Sequence, residues 1–215
     1  NLTLEVIGKR GDGYHEVRSV MQAVRLCDEL TFTTAHGLSF SSNLSSWHPE
    51  NSLISRAARL LAAETGYTGG ADIYLEKRIP LSSGLGGDSS GGAAALLGLD
   101  KLWQLNLPRD RMYGLAASLG SDVPFFLAGG TALAQGRGEQ ISALPSPGRL
   151  WLIIMVAPVA VPEKKTAALY GRLRLEDYSD GGRTSALTQL LGAGSPVADK
   201  NLFNVFENTA LNIFP

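Results

Sequence analysis

Hydrophobic and polar positions alternate along LTLEVIG (2–8), the pattern of a strand with one buried face. EVRSVMQAV (16–24) and ELTFTTA (29–35) are rich in β-branched and aromatic residues and predict two more strands. The period then changes. In NSLISRAARLLAAETG (51–66), Leu53, Ile54, Ala57, Leu60 and Leu61 fall on one helical face, with Asn51 as N-cap and Gly66 just past the end. Alternation returns at 71–79 through Ile73, Leu75 and Ile79, and helical spacing at AAALLGLDKLW (93–103). Pro108 opens a helix over 108–120, and a turn, GSDVP (120–124), leads into a predicted hairpin over 125–141. LWLIIMVAPVAV (150–161) predicts a strand buried on both faces. Helices are predicted over 163–173, 185–191 and 201–215. Strands and helices are interspersed without regular βα alternation, which predicts an α+β fold. The cluster PSPG (145–148) marks the expected boundary between domains 1–147 and 148–215.

Composition adds limits. The chain has 215 residues, 44% hydrophobic and 18% charged, as in globular proteins. A net charge of −1 gives no electrostatic case for nucleic acid or an anionic membrane. Cys27 is the only cysteine, which excludes an internal disulfide and agrees with a reducing, cytoplasmic setting. The longest apolar run, 150–161, is too short to span a bilayer. The chain opens mid-pattern at Asn1 without an initiator Met, so a shortened N-terminus is expected.

The most informative stretch is PLSSGLGGDSSGGAAA (80–95), with five glycines and four serines between a strand pattern and a helix pattern. Glycine admits positive φ and close ligand approach. A helix opening from such a loop aims free N–H groups and a positive dipole end at whatever lies there, which suits phosphate. The common phosphate loops do not fit: a P-loop needs Lys then Ser or Thr after its last glycine, where Asp88 stands, and a dinucleotide fingerprint needs a third glycine where Ser89 stands. A glycine-rich turn without a ligand is the other reading of the loop.

Three segments, GKRGDGYHE (8–16), IPLSSGLGGDSSGGAA (79–94) and LGSDVPFFLAGGTALAQGRGE (119–139), together resemble the GHMP kinases. The pair R-x-D-G-Y-H and G-[SA]-D-V-P-F-F narrows the resemblance to the branch acting on a cytidine diphosphate methylerythritol. With ENSLISRAARLL and LFNVFE, it covers nearly the whole chain. The resemblance implies a two-domain α+β fold. An N-terminal ATP-binding domain would hold a left-handed βαβ unit, against the usual handedness, and a ferredoxin-like C-terminal domain would be truncated within 148–215. It implies ATP and Mg²⁺, a small-molecule substrate phosphorylated on a 2-hydroxyl, and no nucleic-acid or membrane partner. Another GHMP kinase, acting on homoserine, mevalonate or a sugar, and an inactive binding protein of the same fold remain open alternatives.

The resemblance also assigns residues. Asp122 stands where the family has its catalytic aspartate; by itself, an Asp between Gly120 and Pro124 is more commonly an N-cap or Asx-turn residue. Pro80, Leu81, Ser82, Ser83, Gly84, Leu85, Gly86, Gly87, Asp88, Ser89 and Ser90 would bind ATP, with Ser89 and Ser90 on the phosphates and Mg²⁺. Asp88 departs from the family's usual glycine, and its carboxylate would repel a triphosphate unless it points outward or helps to hold Mg²⁺. Asn1 and Asp122 would position the acceptor, beside a lysine expected two residues before Asn1. Tyr14 and His15 would read cytosine, and Thr166 and Tyr170, one helical turn apart, would close that pocket. His36 and His48 match nothing in the family and read as surface residues, and no metal-ligand cluster is visible. No glycine follows residue 194, so the family's third glycine-rich segment is missing from the sequence.

Overall fold

Residues 1–155 and 165–213 are described by the computed structural model. In chain order the first elements are β1 (Thr3–Lys9), β2 (His15–Gln22), β3 (Glu29–Ala35), β4 (Leu38–Ser42), α1 (Leu53–Thr65), β5 (Gly70–Glu76) and α2 (Gly87–Leu102). There follow α3 (Arg109–Leu119), α4 (Val123–Ala128), β6 (Thr131–Gln135), β7 (Gln140–Leu144), α5 (Lys165–Tyr170), α6 (Gly182–Gly192), β8 (Phe203–Asn204) and α7 (Glu207–Ile213). They group into two compact units, Asn1–Ala23 with Ala128–Pro215, and Val24–Leu127. The Pro/Gly cluster at 145–148 lies inside the first unit, just past β7.

The first unit is built on a five-stranded sheet in the order β7-β6-β2-β1-β8. All pairings are antiparallel except β1 with β8, where Thr3 faces Phe203 and Leu4 faces Asn204. Leu2 and Val20 pack with Leu187 and Leu191 of α6. Glu5 is only 1% exposed, and its carboxylate accepts from Ser179 Oγ at 2.9 Å and from the Thr184 amide at 2.7 Å. A buried carboxylate needs such donors, and these fix the start of α6 to β1.

The second unit has a three-stranded sheet, β3-β5-β4, covered by helices. β4, α1 and β5 form a parallel βαβ unit in which Leu38 pairs with Ala71 and Ser42 with Leu75. Ile54, Ala57, Ala58 and Leu61 of α1 pack with Ala95, Leu96 and Leu99 of α2, Ile73 and Leu75 of β5, and Leu115 and Leu119 of α3.

The sequence reading departs from this fold in several places. Ser52, not Asn51, caps α1: its hydroxyl accepts from the Ile54 amide at 3.0 Å, while Asn51 ends a short 3₁₀ turn. Gly66 does end the helix, at φ 67°. The hairpin expected over 125–141 is confined to β6 and β7, because Val123, Pro124 and Phe125 are buried in the helix α4, which stops at two left-handed glycines, Gly129 (φ 66°) and Gly130 (φ 63°). Residues 151–155 of the expected strand at 150–161 are exposed and unpaired into any sheet, and 156–161 lie outside the described residues. The helix expected over 163–173 is α5 alone, with 163–164 outside the described residues. In 201–215, Phe203–Asn204 pairs with β1 before α7 begins. Nothing predicted β4.

Candidate active site

β5 delivers the chain to the glycine loop, and α2 carries it away. Between them Ser82 (φ 56°), Gly84 (φ 78°) and Gly86 (φ 72°) take left-handed conformations. Gly86 is required twice over, since a Cβ built there would lie 2.7 Å from Phe126 Cζ. At Gly87, a Cβ would lie 3.1 Å from Ile79 Cγ2 and 3.2 Å from Lys77 Nζ. The loop is closely backed at Gly86 and Gly87, where a side chain would not fit, which leaves the backbone there open to close approach by a ligand.

In front of the loop is a cavity of about 440 Å³. Pro80 through Ser89 line one side, and Trp47, His48, Asn51 and Ser52 another. At its base, Lys77 Nζ meets Asp28 Oδ2 at 2.7 Å, both side chains 7% exposed, and also donates to the Ile79 carbonyl. Asp28 Oδ1 accepts from the Arg78 and Ile79 amides at 2.7 Å each. A buried ion pair is held in place by such extra hydrogen bonds, and this one anchors the strand-to-loop junction. Ser89 lines the cavity; Ser90 does not, and its hydroxyl donates to the Gly87 carbonyl at 3.0 Å.

Asp88 does not face the cavity alone. Its Oδ1 accepts from the Leu53 amide at 2.9 Å and the Ser52 hydroxyl at 3.4 Å, at the start of α1. The residue as a whole is exposed, yet the protein packed around its carboxyl raises its pKa above the ordinary carboxylate value, against the opposing effect of these two donors.

Asp122 sits in the turn between α3 and α4, with its residue surface open to solvent. The protein packed around the carboxyl nonetheless raises its pKa. Phe126, one turn into α4, is the residue that backs Gly86.

The other sequence-derived candidates lie in the first unit. Asp12 Oδ1 accepts from the Tyr14 amide at 3.1 Å, and Arg10 Nε pairs with Asp12 at 3.2 Å, which shapes the loop before β2. Tyr14 is 53% exposed, with the Arg137 guanidinium 4.9 Å from its ring centroid. His15 stacks on Tyr170 with centroids 4.8 Å apart and 27° between planes; Tyr178 meets His15 edge-on, and Phe206 meets Tyr170 edge-on. Burial, and secondarily Lys9, lowers the His15 pKa. Thr166 is exposed on α5, one turn from Tyr170, and Asn1 Nδ2 donates to Ser19 Oγ at 2.9 Å. The structure thus brings His15 and Tyr170 together, with Tyr14 next in sequence, and gathers Pro80–Ser89 around one cavity.

Sequence reasoning missed Trp47, His48, Lys77 and Asp28 at the cavity, and Tyr178, Phe206 and Arg137 around the aromatic cluster. His48 is exposed, as its lack of a family match suggests, and it also lines the cavity. Among the described residues no three His, Cys, Asp or Glu side chains converge as a metal site. No helix among them is long and apolar enough to cross a membrane.

Residues 52–130 match the family of GHMP kinase N-terminal domains. Over 215 residues the chain is 45% identical to 4-diphosphocytidyl-2-C-methyl-D-erythritol kinase of Dehalococcoides mccartyi, covering 100% of this chain and 75% of that one. The chain belongs to this family of GHMP kinases. The enzyme of the same name from Brevibacillus brevis is 39% identical over 219 residues, covering 100% of this chain and 74% of that one. A crystal structure of 4-(cytidine 5'-diphospho)-2C-methyl-D-erythritol kinase superposes with a TM-score of 0.76 at 35% identity, over 100% of this chain and 75% of that one. Phosphomevalonate kinase of Streptococcus pneumoniae, at 14% identity and a TM-score of 0.62 over 90% of this chain and 71% of that one, shares the fold.

Proposed function

We propose that the chain transfers the γ-phosphoryl group of ATP to the 2-hydroxyl of 4-diphosphocytidyl-2-C-methyl-D-erythritol, in isoprenoid synthesis in the cytoplasm. One observation carries this reading: a bare glycine loop opens onto α2 in front of a cavity of about 440 Å³, in a chain 45% identical over its whole length to a kinase named for that substrate.

In this reading the loop amides and the α2 N-terminus hold the phosphates, with Ser89 beside them. The acceptor oxygen attacks the γ-phosphorus, the bond to the bridging oxygen of ADP breaks, and the hydroxyl proton passes to Asp122. A raised carboxyl pKa suits a group that accepts a proton near neutral pH. Mg²⁺ commonly binds through phosphates with one or two protein oxygens. The cavity presents Ser89, a hydroxyl oxygen of the hard-donor kind that such an ion takes beside phosphates. Bound there, it would offset charge on the β- and γ-phosphates. Tyr14, His15 and Tyr170 read the cytosine, with Thr166 at the rim and Asn1 orienting the acceptor. An aromatic face serves any base, and the imidazole edge offers a donor and an acceptor to the edge of the pyrimidine.

The test is ADP formation by the full chain with ATP and, in turn, the cytidine substrate, homoserine, mevalonate and galactose. Turnover with the cytidine substrate alone is expected. Turnover of another alcohol in its place would reassign the substrate, and ATP consumption with none of them would refute the kinase reading.

A further inference from the structure

The helices α1 and α2 meet along a face of small residues. On α2, Asp88, Gly91, Gly92 and Ala95 share one side by helical spacing. A Cβ at Gly91 would lie 3.0 Å from Ile54 Cγ1 and Cδ1, and one at Gly92 would lie 3.1 Å from Leu53 Cβ. The helices therefore run close at their N-terminal ends. There Asp88, the first member of the face, reaches the start of α1, accepting from the Leu53 amide at 2.9 Å and the Ser52 hydroxyl at 3.4 Å. Ser52 caps α1, is 4% exposed, and belongs with Trp47, His48 and Asn51 to the cavity wall facing the glycine loop. Asp88 is thus the polar link between the two walls of the cavity.

The carboxylate has a reason to be tolerated there. It takes up a free N–H in the first turn of α1, where a negative charge is favoured by the helix dipole. Oδ1 is thereby engaged at the start of α1, while the residue stays exposed at the cavity lining.

We propose that Asp88 is a positioning residue. It ties the start of α1, and with it the Trp47–Ser52 wall, to the start of α2, and so sets the width of the nucleotide site through these hydrogen bonds. This rests on the reading that the cavity takes ATP.

The test compares Asp88→Asn, Asp88→Ala and Asp88→Ser in the full chain. It measures ATP binding by calorimetry, KM for each substrate, kcat and thermal midpoint. Asn retains an acceptor oxygen of the same reach and should recover most of the affinity. Ala and Ser cannot reach Leu53, and should raise Kd and KM for ATP roughly tenfold, the scale of one lost hydrogen bond to a charged group. The kcat and the KM for the cytidine substrate should stay near those of the unaltered chain. Ser serves if Ala does not fold. Equal losses in Asn and Ala would mean that the charge itself acts on the ligand, and tighter ATP binding in both would mean simple repulsion; either overturns the proposal. A lower thermal midpoint with unchanged ATP affinity would reduce Asp88 to a stabilising contact and also overturn it. Failure of the unaltered chain to bind ATP would refute the function reading and take this inference with it.

Discussion

His15 lies flat against Tyr170, ring centroids 4.8 Å apart with 27° between the planes. The two rings come from β2 and α5, distant in sequence, and Phe206 holds Tyr170 from its edge at 4.8 Å. The stack orients the imidazole from the side of its face and leaves recognition to its edge. Tyr170→Ala removes that support and is expected to raise KM for the cytidine substrate about 2- to 12-fold, the equivalent of about 0.5–1.5 kcal/mol for one aromatic pair. ATP affinity should hardly change. Steady-state kinetics with each substrate varied separately checks this.

Burial, then Lys9, lowers the His15 pKa below 6.5. The neutral ring is therefore the folded form at pH 7. Its contribution to stability is fully present above the unfolded value and is lost as pH falls through the lower, folded value. Affinity for the cytidine substrate is expected to decline over the same acidic range. An NMR titration of the His15 ring alongside KM against pH tests whether the two curves coincide.

Gly86→Val should damage the nucleotide site specifically. The position is left-handed at φ 72°, and its Cβ would meet the Phe126 ring at 2.7 Å. A left-handed conformation alone costs an L residue about 1–2 kcal/mol, and a β-branched one more. Kd for ATP is expected to rise at least roughly tenfold, by 1.4 kcal/mol per decade. The Kd for the cytidine substrate should stay near its starting value. Calorimetric titration of both ligands separates local damage from unfolding.

Asp122→Asn is expected to cut kcat by roughly 10²–10⁴, the range for a positioned acid–base group. Because its pKa is raised above 3.8, the unaltered enzyme should lose kcat/KM as pH drops through a point above that value. The same shift means that stability is lost as pH rises from the unfolded value of 3.8 through the higher folded value. The variant should therefore be no less stable at pH 7. Paired pH–rate profiles and melting curves check both halves, and near-unaltered turnover would make Asp122 a turn residue only.

Leu61→Ala addresses the scaffold. Leu61 is fully buried between α1, α2 and the β3-β5-β4 sheet. Truncation there should cost about 2–5 kcal/mol in chemical denaturation.

Much of this was legible in the sequence where the signal is local. The alternations of β1, β2 and β3, the apolar face of α1 with Gly66 after it, and the run of glycines ahead of α2 each depend on neighbours a few residues away. α4 was not legible, because six apolar residues from Val123 to Ala128 have no distinguishing period. β8 was not, since two residues become a strand only by pairing with β1. The target of Asp88 lies 35 residues away, and no pattern announces it. Trp47 and His48 reach the cavity only because the chain enters α1 there, beside the start of α2. The pairing of His15 with Tyr170 was suggested by family resemblance and not by any spacing.

The most direct measurement is ³¹P NMR of the full chain turning over ATP and 4-diphosphocytidyl-2-C-methyl-D-erythritol. The account requires a new phosphomonoester signal that grows in step with ADP, coupled to the C2 position of the methylerythritol, while the cytidine diphosphate signals persist. Inorganic phosphate as the sole product, or loss of the diphosphate with release of CMP, would contradict it.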